Sequence, residues 1–297
     1  AADANGHGDF YYAPPTGALA LCTANLPDPA IDPNKDDLPE DHFKAVIWTG
    51  DGSNPRNIPI GMNPDFVWIK NRTGTANSHA TFDSVRGFGK KHLWTDLTNG
   101  ETANEYGHVD SVSNNNITVT AGTSDDTYVN NSGTTYVGWC WKAGGAPSGA
   151  TSASGSAKRI NSSGTQDDTS CDAIASAASA TITPTLMSIN QKSGFSIVKY
   201  EGNSTDNATV PTGISNPEFF ILKNISTATS NSVGTLWVAG LKGVTSSNQV
   251  LYLNETFSLS SNYNGEGHTF NTNSIQFHEA SGTEPFLRSN KSGDTYI

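Results

Sequence analysis

The apolar positions of this chain fall in short runs with a period of two, each closed by Asn, Pro, Gly or Ser. Phe66 and Trp68 sit at alternate positions, as do Phe219 and Ile221, which puts each pair on one face of a strand. Segments 117–120 and 275–278 alternate in the same way. The run 135–141 sends Tyr136, Gly138 and Cys140 to one side and Thr135, Val137, Trp139 and Trp141 to the other. Short strands at this spacing, opened by Asn-Pro turns before Phe66 and Phe219, predict an all-β chain of antiparallel, sandwich-like build.

The pattern occurs twice. Residues 63–71 read NPDFVWIKN and residues 216–224 read NPEFFILKN, an offset of 153. Upstream, Phe43 to Ser53 matches Phe195 to Ser204, beginning at an offset of 152. Downstream, Val85-Arg86-Gly87 matches Leu241-Lys242-Gly243, which sets Asp83 against Ala239, and Leu93-Trp94 matches Leu251-Tyr252. Gly133 to Val137 matches Gly293 to Ile297 at an offset of 160. The order never breaks while the offset creeps upward, as small loop insertions produce. The expectation is two homologous antiparallel β-sandwich-like modules, 42–145 and 195–297. Copy two stops at Ile297, opposite Val137, so the closing strand predicts a polypeptide that continues.

Segment 146–194 carries no Phe, Tyr or Trp and is rich in Gly, Ala, Ser and Thr, which predicts an extended linker lying along a neighbouring chain. Within it, 170–179 predicts a short helix with Asp167, Asp168 or Ser170 as its cap. Segment 1–41, with Pro14, Pro15, Pro27, Pro29, Pro33 and Pro39, predicts an extended arm leaving an upstream domain.

Composition sharpens this picture. Asn, Ser, Thr and Gly make up 124 of the 297 residues, a mixture of turn and strand formers. The net charge of -11 gives no basic patch for a phosphate backbone, so nucleic acid is excluded as a partner. No apolar run approaches the ~20 residues a spanning helix needs, so membrane insertion is not expected. Cys22, Cys140 and Cys171 lack metal-type spacing and read as free thiols.

Candidate chemistry is sparse. No nucleophile elbow, phosphate loop or zinc-type His pair occurs. His79 with Asp83, and His108 with Asp110, have the spacing of half a catalytic pair, but the same spacing is common between surface residues. Asp83, Asp96, Glu101, Glu105 and Asp110 are the acids available for glycoside hydrolysis, which needs two of them ~5–9.5 Å apart across a cleft. Neither this pairing nor catalysis is expected, and the chain is read as a non-enzyme. Asp36-Asp37, Asp125-Asp126 and Asp167-Asp168 are the candidate calcium carboxylates, without a recognised calcium-loop spacing; no cofactor is expected. Trp48, Trp94, Tyr106, Trp237 and Tyr263 are the candidate glycan contacts, because sugars stack on aromatic faces. Nine Asn-x-Ser/Thr sequons, at Asn71, Asn116, Asn130, Asn161, Asn203, Asn207, Asn224, Asn254 and Asn290, follow from the abundance of Asn and Thr.

The blocks 64–72 (PDFVWIKNR), 82–87 (FDSVRG) and 135–145 (TYVGWCWKAGG) resemble a repeat module of tail and appendage proteins of marine bacteriophages. In that family the same three blocks recur in this order, with another small residue at the position of Gly138. The second copy keeps only the outline of the turn. Segment 10–27 is similar to the exit from a concanavalin-like, SPRY-type sandwich in such proteins. The resemblance implies a structural part of a virion tail fibre with contact to the host surface. The implied partners are other virion tail proteins, host glycans and further copies of itself, most simply as a trimer. The alternatives are a carbohydrate-binding adhesin module and a polysaccharide-degrading tailspike.

Overall fold

The computed structural model describes residues 1–26, 31–32, 37–102, 106–149, 155–226, 236–246, 249–256, 259–261, 267–278 and 288–297. It divides into two compact units, Ala1–Pro39 and Glu40–Ile297. The smaller unit folds back on itself, which corrects the expectation of an extended arm. Ala1 and Phe10 bond through their backbones, and the Asp3 carboxylate gathers the amides of Asn5, His7 and Ala20 and the Nδ2 of Asn25. One buried acceptor tying together four donors replaces the core that this segment lacks, and those bonds hold the Asp3 pKa well below the usual carboxylate range.

The larger unit is β throughout its two modules. The first contains β1 (Phe43–Thr49), β2 (Arg56–Pro59), β3 (Phe66–Asn71), β4 (Ala80–Asp83), β5 (Leu93–Trp94), β6 (His108–Ser113), β7 (Asn116–Thr120) and β8 (Thr135–Trp141). An antiparallel sheet ordered β1-β8-β3-β4-β5 faces a second ordered β2-β7-β6. Between them lie Trp48, Ile58, Val67, Ile69, Phe82, Ile117, Val119, Tyr136 and Cys140. The alternation read in the sequence holds: Tyr136, Gly138 and Cys140 are buried, while Thr135, Val137, Trp139 and Trp141 are half-buried on the outer face. Each large side chain removed from water here contributes about 1.5–3 kcal/mol.

Segment 146–194 is not an extended linker. It forms β9 (Ser156–Ile160), β10 (Thr169–Ser170), α1 (Cys171–Ala177) and β11 (Leu186–Asn190). Of the three candidate caps it is Ser170 that caps the helix, its hydroxyl accepting from the Ala173 amide at 3.1 Å. The second module then runs β12 (Phe195–Glu201), β13 (Thr209–Pro211), β14 (Phe219–Leu222), β15 (Val238–Leu241), β16 (Gln249–Tyr252), β17 (Ser260–Ser261), β18 (Gly267–Phe270), β19 (Ser274–His278) and β20 (Thr295–Tyr296). Its sheets are ordered β10-β9-β11-β12-β20, β13-β19-β18 and β14-β15-β16-β17, and an Asn224–Tyr296 bridge joins the first to the third. A segment without aromatics orders here because β11 adds to the edge of β12 and β9 adds in parallel to β11. Ala157, Cys171, Ile174, Met187 and Ile189 then bury against Val198.

Both modules close with one clasp. Trp48 lies opposite Tyr136, and Tyr200 opposite Tyr296. The rings stack at centroid distances of 5.5 and 5.2 Å. The Tyr136 hydroxyl accepts from the Asn131 amide at 3.0 Å, and that of Tyr296 from the Lys291 amide at 2.9 Å. Asn130 Nδ2 donates to Asp51 and the Ser53 carbonyl; Asn290 Nδ2 donates to Asn203 and the Thr205 carbonyl. A Cβ on Gly50 would stand 2.1 Å from the Asn131 carbonyl oxygen, and one on Gly202 2.3 Å from that of Lys291, so only glycine fits the clasp.

The modules meet over a built junction. Ala143, Val85 and Phe66 of the first pack on Ile197, Phe195 and Leu186 of the second. Trp141 stacks on Phe195 at 6.1 Å. The Gly144 amide donates to Ser188 Oγ at 3.0 Å, and a Cβ on Gly144 would stand 2.1 Å from the Lys158 carbonyl oxygen. The Lys-Ala-Gly-Gly end of β8 is therefore the seam at which the second module docks.

Candidate functional site

The structure uses up most of the side chains that the sequence offers for catalysis. Asp83 and Arg86 form an ion pair at 2.5 Å, both almost fully buried. Asp83 also accepts from the amides of Val85 and Arg86, and Arg86 reaches Glu101 and the carbonyls of Lys91 and Thr81. The FDSVRG block is thus an ionic turn clamp, and two of the candidate acids, Asp83 and Glu101, are held by one guanidinium. His79 does not meet Asp83: its Nδ1 lies 3.2 Å from Trp68 Nε1, and its backbone amide donates to Asp96. Asp167 and Asp168 pair with Arg159 and Lys158, which occupies that pair of calcium candidates. Asp125 accepts from the Thr127 amide inside its own turn; Asp36 and Glu105 lie outside the described residues. Among the described residues no three His, Cys, Asp or Glu side chains gather to hold a metal ion. All three cysteines are free, Cys140 and Cys171 buried. Asn71, Asn130, Asn224 and Asn290 are buried, so those four sequons are turn chemistry. The Asn224 side chain, for example, accepts from the Ser226 amide at 3.0 Å.

One cluster remains, at the edge of the first module that faces the second. Residues 92–102 run from β5 into a loop, with His92 bridged to Thr102. His92 is fully buried, its ring edge-on to Trp94 at 4.2 Å. The Tyr128 ring lies 6.2 Å from both His92 and Trp94, and Tyr106 meets Tyr128 edge-on at 5.4 Å. The Tyr128 amide donates to the Tyr106 carbonyl, so the two loops are tied together. Burial, with repulsion from Arg86 and His108, drives the His92 pKa down to about 3. Burial lowers His108 too, against the opposing pull of Asp110. Both imidazoles are neutral near pH 7. The second module grips this loop: Trp237 Nε1 donates to the Trp94 carbonyl at 2.7 Å, and Lys223 Nζ to the Thr98 carbonyl at 3.2 Å. Lys223 also lies over the Trp237 ring at 5.5 Å.

The aromatic candidates separate on this evidence. Trp94 and Tyr106 are brought into one cluster through Tyr128. Trp48 and Trp237 are corrected: both are buried, Trp48 as a clasp ring whose Nε1 donates to the Val129 carbonyl, Trp237 as part of the grip between modules. A buried indole whose one donor is satisfied by backbone offers no face to a sugar. Tyr263 lies outside the described residues. His92, Thr102 and Tyr128 were not singled out by the sequence, although aligning the copies marks two of them: Val250 stands where the first copy has His92, and Arg288 where it has Tyr128.

A family model, described as a domain of unknown function (DUF7483), matches the chain twice, over residues 38–170 and 168–297. The second match begins just ahead of α1, so β9 goes with the first copy and α1 and β11 with the second. No curated protein and no solved structure matches the chain.

Proposed function

We propose that this chain, which belongs to the DUF7483 family and carries its domain twice, is a non-enzymatic structural component of a phage tail fibre or appendage that contributes to contact with the host surface. The observation that carries the reading is what the two copies have in common. They share the stacked clasp rings, the buried Asn, the Gly that admits a carbonyl and the turn amides. These determine a fold and do no chemistry. The bonded seam between the modules supports a stiff tandem, as an appendage requires. The resemblance of the PDFVWIK, FDSVRG and TYVGWCWKAGG blocks to virion appendage modules supplies the location, the exterior of a phage tail. No helix among the described residues is long and apolar enough to cross a membrane.

The oligomeric part of the reading, a trimer with other tail proteins as neighbours, rests on that resemblance, because segment 146–194 packs within its own chain. Mass spectrometry of purified virions, followed by electron microscopy with an antibody against this chain, tests the proposal. Label on tail appendages is the expected result; absence of the chain from every virion preparation, with the chain in host cell envelopes, overturns it. Light scattering of the purified chain is expected to give three times the monomer mass, and a monomer at all concentrations removes the trimer.

A further inference from the structure

We propose that copies of this chain join head to tail, the outer face of β1 in one copy packing on the Phe219–Leu241 patch of the next, in the way the two modules already meet within the chain. This gives the oligomeric part of the reading above its contact and rests on that part alone.

The internal seam supplies the template. Its second-module half is the outer face of β12, where Phe195 and Ile197 point away from the core that holds Val198 and Tyr200 and pack on Phe66 and Val85. Ile197 and Val85 are both buried there. The clasp fixes the correspondence between the copies. Trp48 matches Tyr200, so Phe43 and Ala45 stand where the second module has Phe195 and Ile197. Phe43, Ala45 and Ile47 alternate along the outer face of β1. All three are exposed, Ile47 by 63% and Phe43 by 40%. The face that the second module buries is thus left in water by the first.

The other half of the seam is also repeated and also bare. Phe219 stands where the first module has Phe66, and β15 pairs it with Leu241. Phe219 is 58% exposed, and Leu241 and Val244, in the turn after β15, are exposed with it. The turn after β4 in the first module carries the seam's Val85. One chain therefore carries both halves of an apolar contact on different modules, and each half faces solvent.

A second copy is the occupant that fits, because it brings the matching half to each. Contiguous exposed apolar surface marks a site of association. A contact between two unlike patches leaves one of each free for a further copy, so it closes into a ring or continues as an open chain. A ring of three is the form that gives the trimer proposed above. Between copies the contact rests on apolar groups alone, without the Gly144–Ser188 bond of the seam, so it is reversible and its extent follows concentration.

The test is sedimentation velocity of the full chain from about 1 to 100 μM. Salt at about 150 mM screens the net charge of -11. The mass is expected to rise above that of the monomer as concentration rises. Ala45→Glu and Phe219→Glu, both at exposed positions, are each expected to weaken the association about tenfold or more. An equimolar mixture of the two variants is expected to give dimers and nothing larger, because each keeps the half that the other has lost. Thermal melting of each variant shows whether its fold is kept; Ala45→Lys and Phe219→Lys repeat the test wherever glutamate lowers the melting temperature. Association that both variants retain, or a mixture that stays monomeric, overturns this contact and leaves the trimer to another surface. A wild-type chain that is monomeric throughout overturns the contact and the trimer together, and neither result bears on virion location.

Discussion

The two modules keep one frame and fill it differently. In the first, Val67 lies across from Phe82; in the second, the same pair is Phe220 and Gly240. The large ring has crossed from one strand to its neighbour, and a Cβ on Gly240 would stand 2.3 Å from the Phe220 ring. The volume is conserved while the residues are not, as close packing demands. On the outer face Phe66 pairs with the buried Asp83, whereas Phe219 pairs with Leu241, which is partly exposed. An ionic clamp in one copy is an apolar contact in the other. The clasp differs far less, because its Tyr and Asn side chains bond to backbone amides and carbonyls that the strands fix in place, and its glycine admits no replacement. A duplicated domain thus preserves what its backbone requires and varies the pairs that can compensate one another.

Swapping the compensating pair should produce the largest effect. Phe82→Gly alone is expected to cost about 3–5 kcal/mol, as other large-to-small core changes do. Adding Val67→Phe should recover a good part of it, read from urea midpoints in a double-mutant cycle. Additive losses would mean that the two cores are not equivalent. Next in size is the clamp. Arg86→Met leaves Asp83 buried and unpaired and is expected to cost about 3–5 kcal/mol, while the double change Asp83→Leu with Arg86→Met should regain most of that. A double variant no more stable than the single would show that the ion pair does more than satisfy itself.

The pH dependence separates the modules next. His92 has its pKa lowered to about 3 and His268 to about 4, both mainly by burial, against 6.5 for a free histidine. Above 6.5 both states are neutral and nothing changes. As pH falls below 6.5 the unfolded chain takes up protons that the folded chain refuses, so stability is lost down to about pH 3. His92→Val, the second module's residue, should flatten the part of this loss that belongs to the first module, measured by melting between pH 7 and 4. Lys223 acts in the other range. Burial lowers its pKa from 10.5 to about 7, so stability should rise as pH climbs between those values, and Lys223→Met should abolish that rise. The smallest effect concerns the clasp itself. Asn130→Ala and Asn290→Ala are each expected to cost about 1–3 kcal/mol and to match one another. A clear inequality would mean that one copy depends on its clasp less.

Much of this was legible in the residues. The duplication, the strand faces of 135–141 and a short helix within 170–179 follow from local spacing, and the structure has all three, with Ser170 the cap among three candidates. The detailed alignment did not stand throughout. Strand register places Leu241 opposite Phe219, as Asp83 is opposite Phe66, so Asp83 corresponds to Leu241 and not to Ala239. Shared small residues in a turn misled the match by two positions, since a turn tolerates insertions that a ladder does not. The ring cluster was half legible. Trp94 and Tyr106 were candidates for their type, but His92, Thr102 and Tyr128 join them only across loops far apart in the chain.

By itself the sequence determined the class of the fold, its duplication and the places where the chain must turn, because alternation and glycine act over a few residues. Tertiary structure alone decided that segment 146–194 builds sheet, that Trp48 and Trp237 are buried while Tyr106 is exposed, and that one module clamps the other's loop. Those outcomes depend on which edges and faces meet, from 30 residues apart for Ser156 and Leu186 to 143 for Trp94 and Trp237, and no local pattern records such a partner.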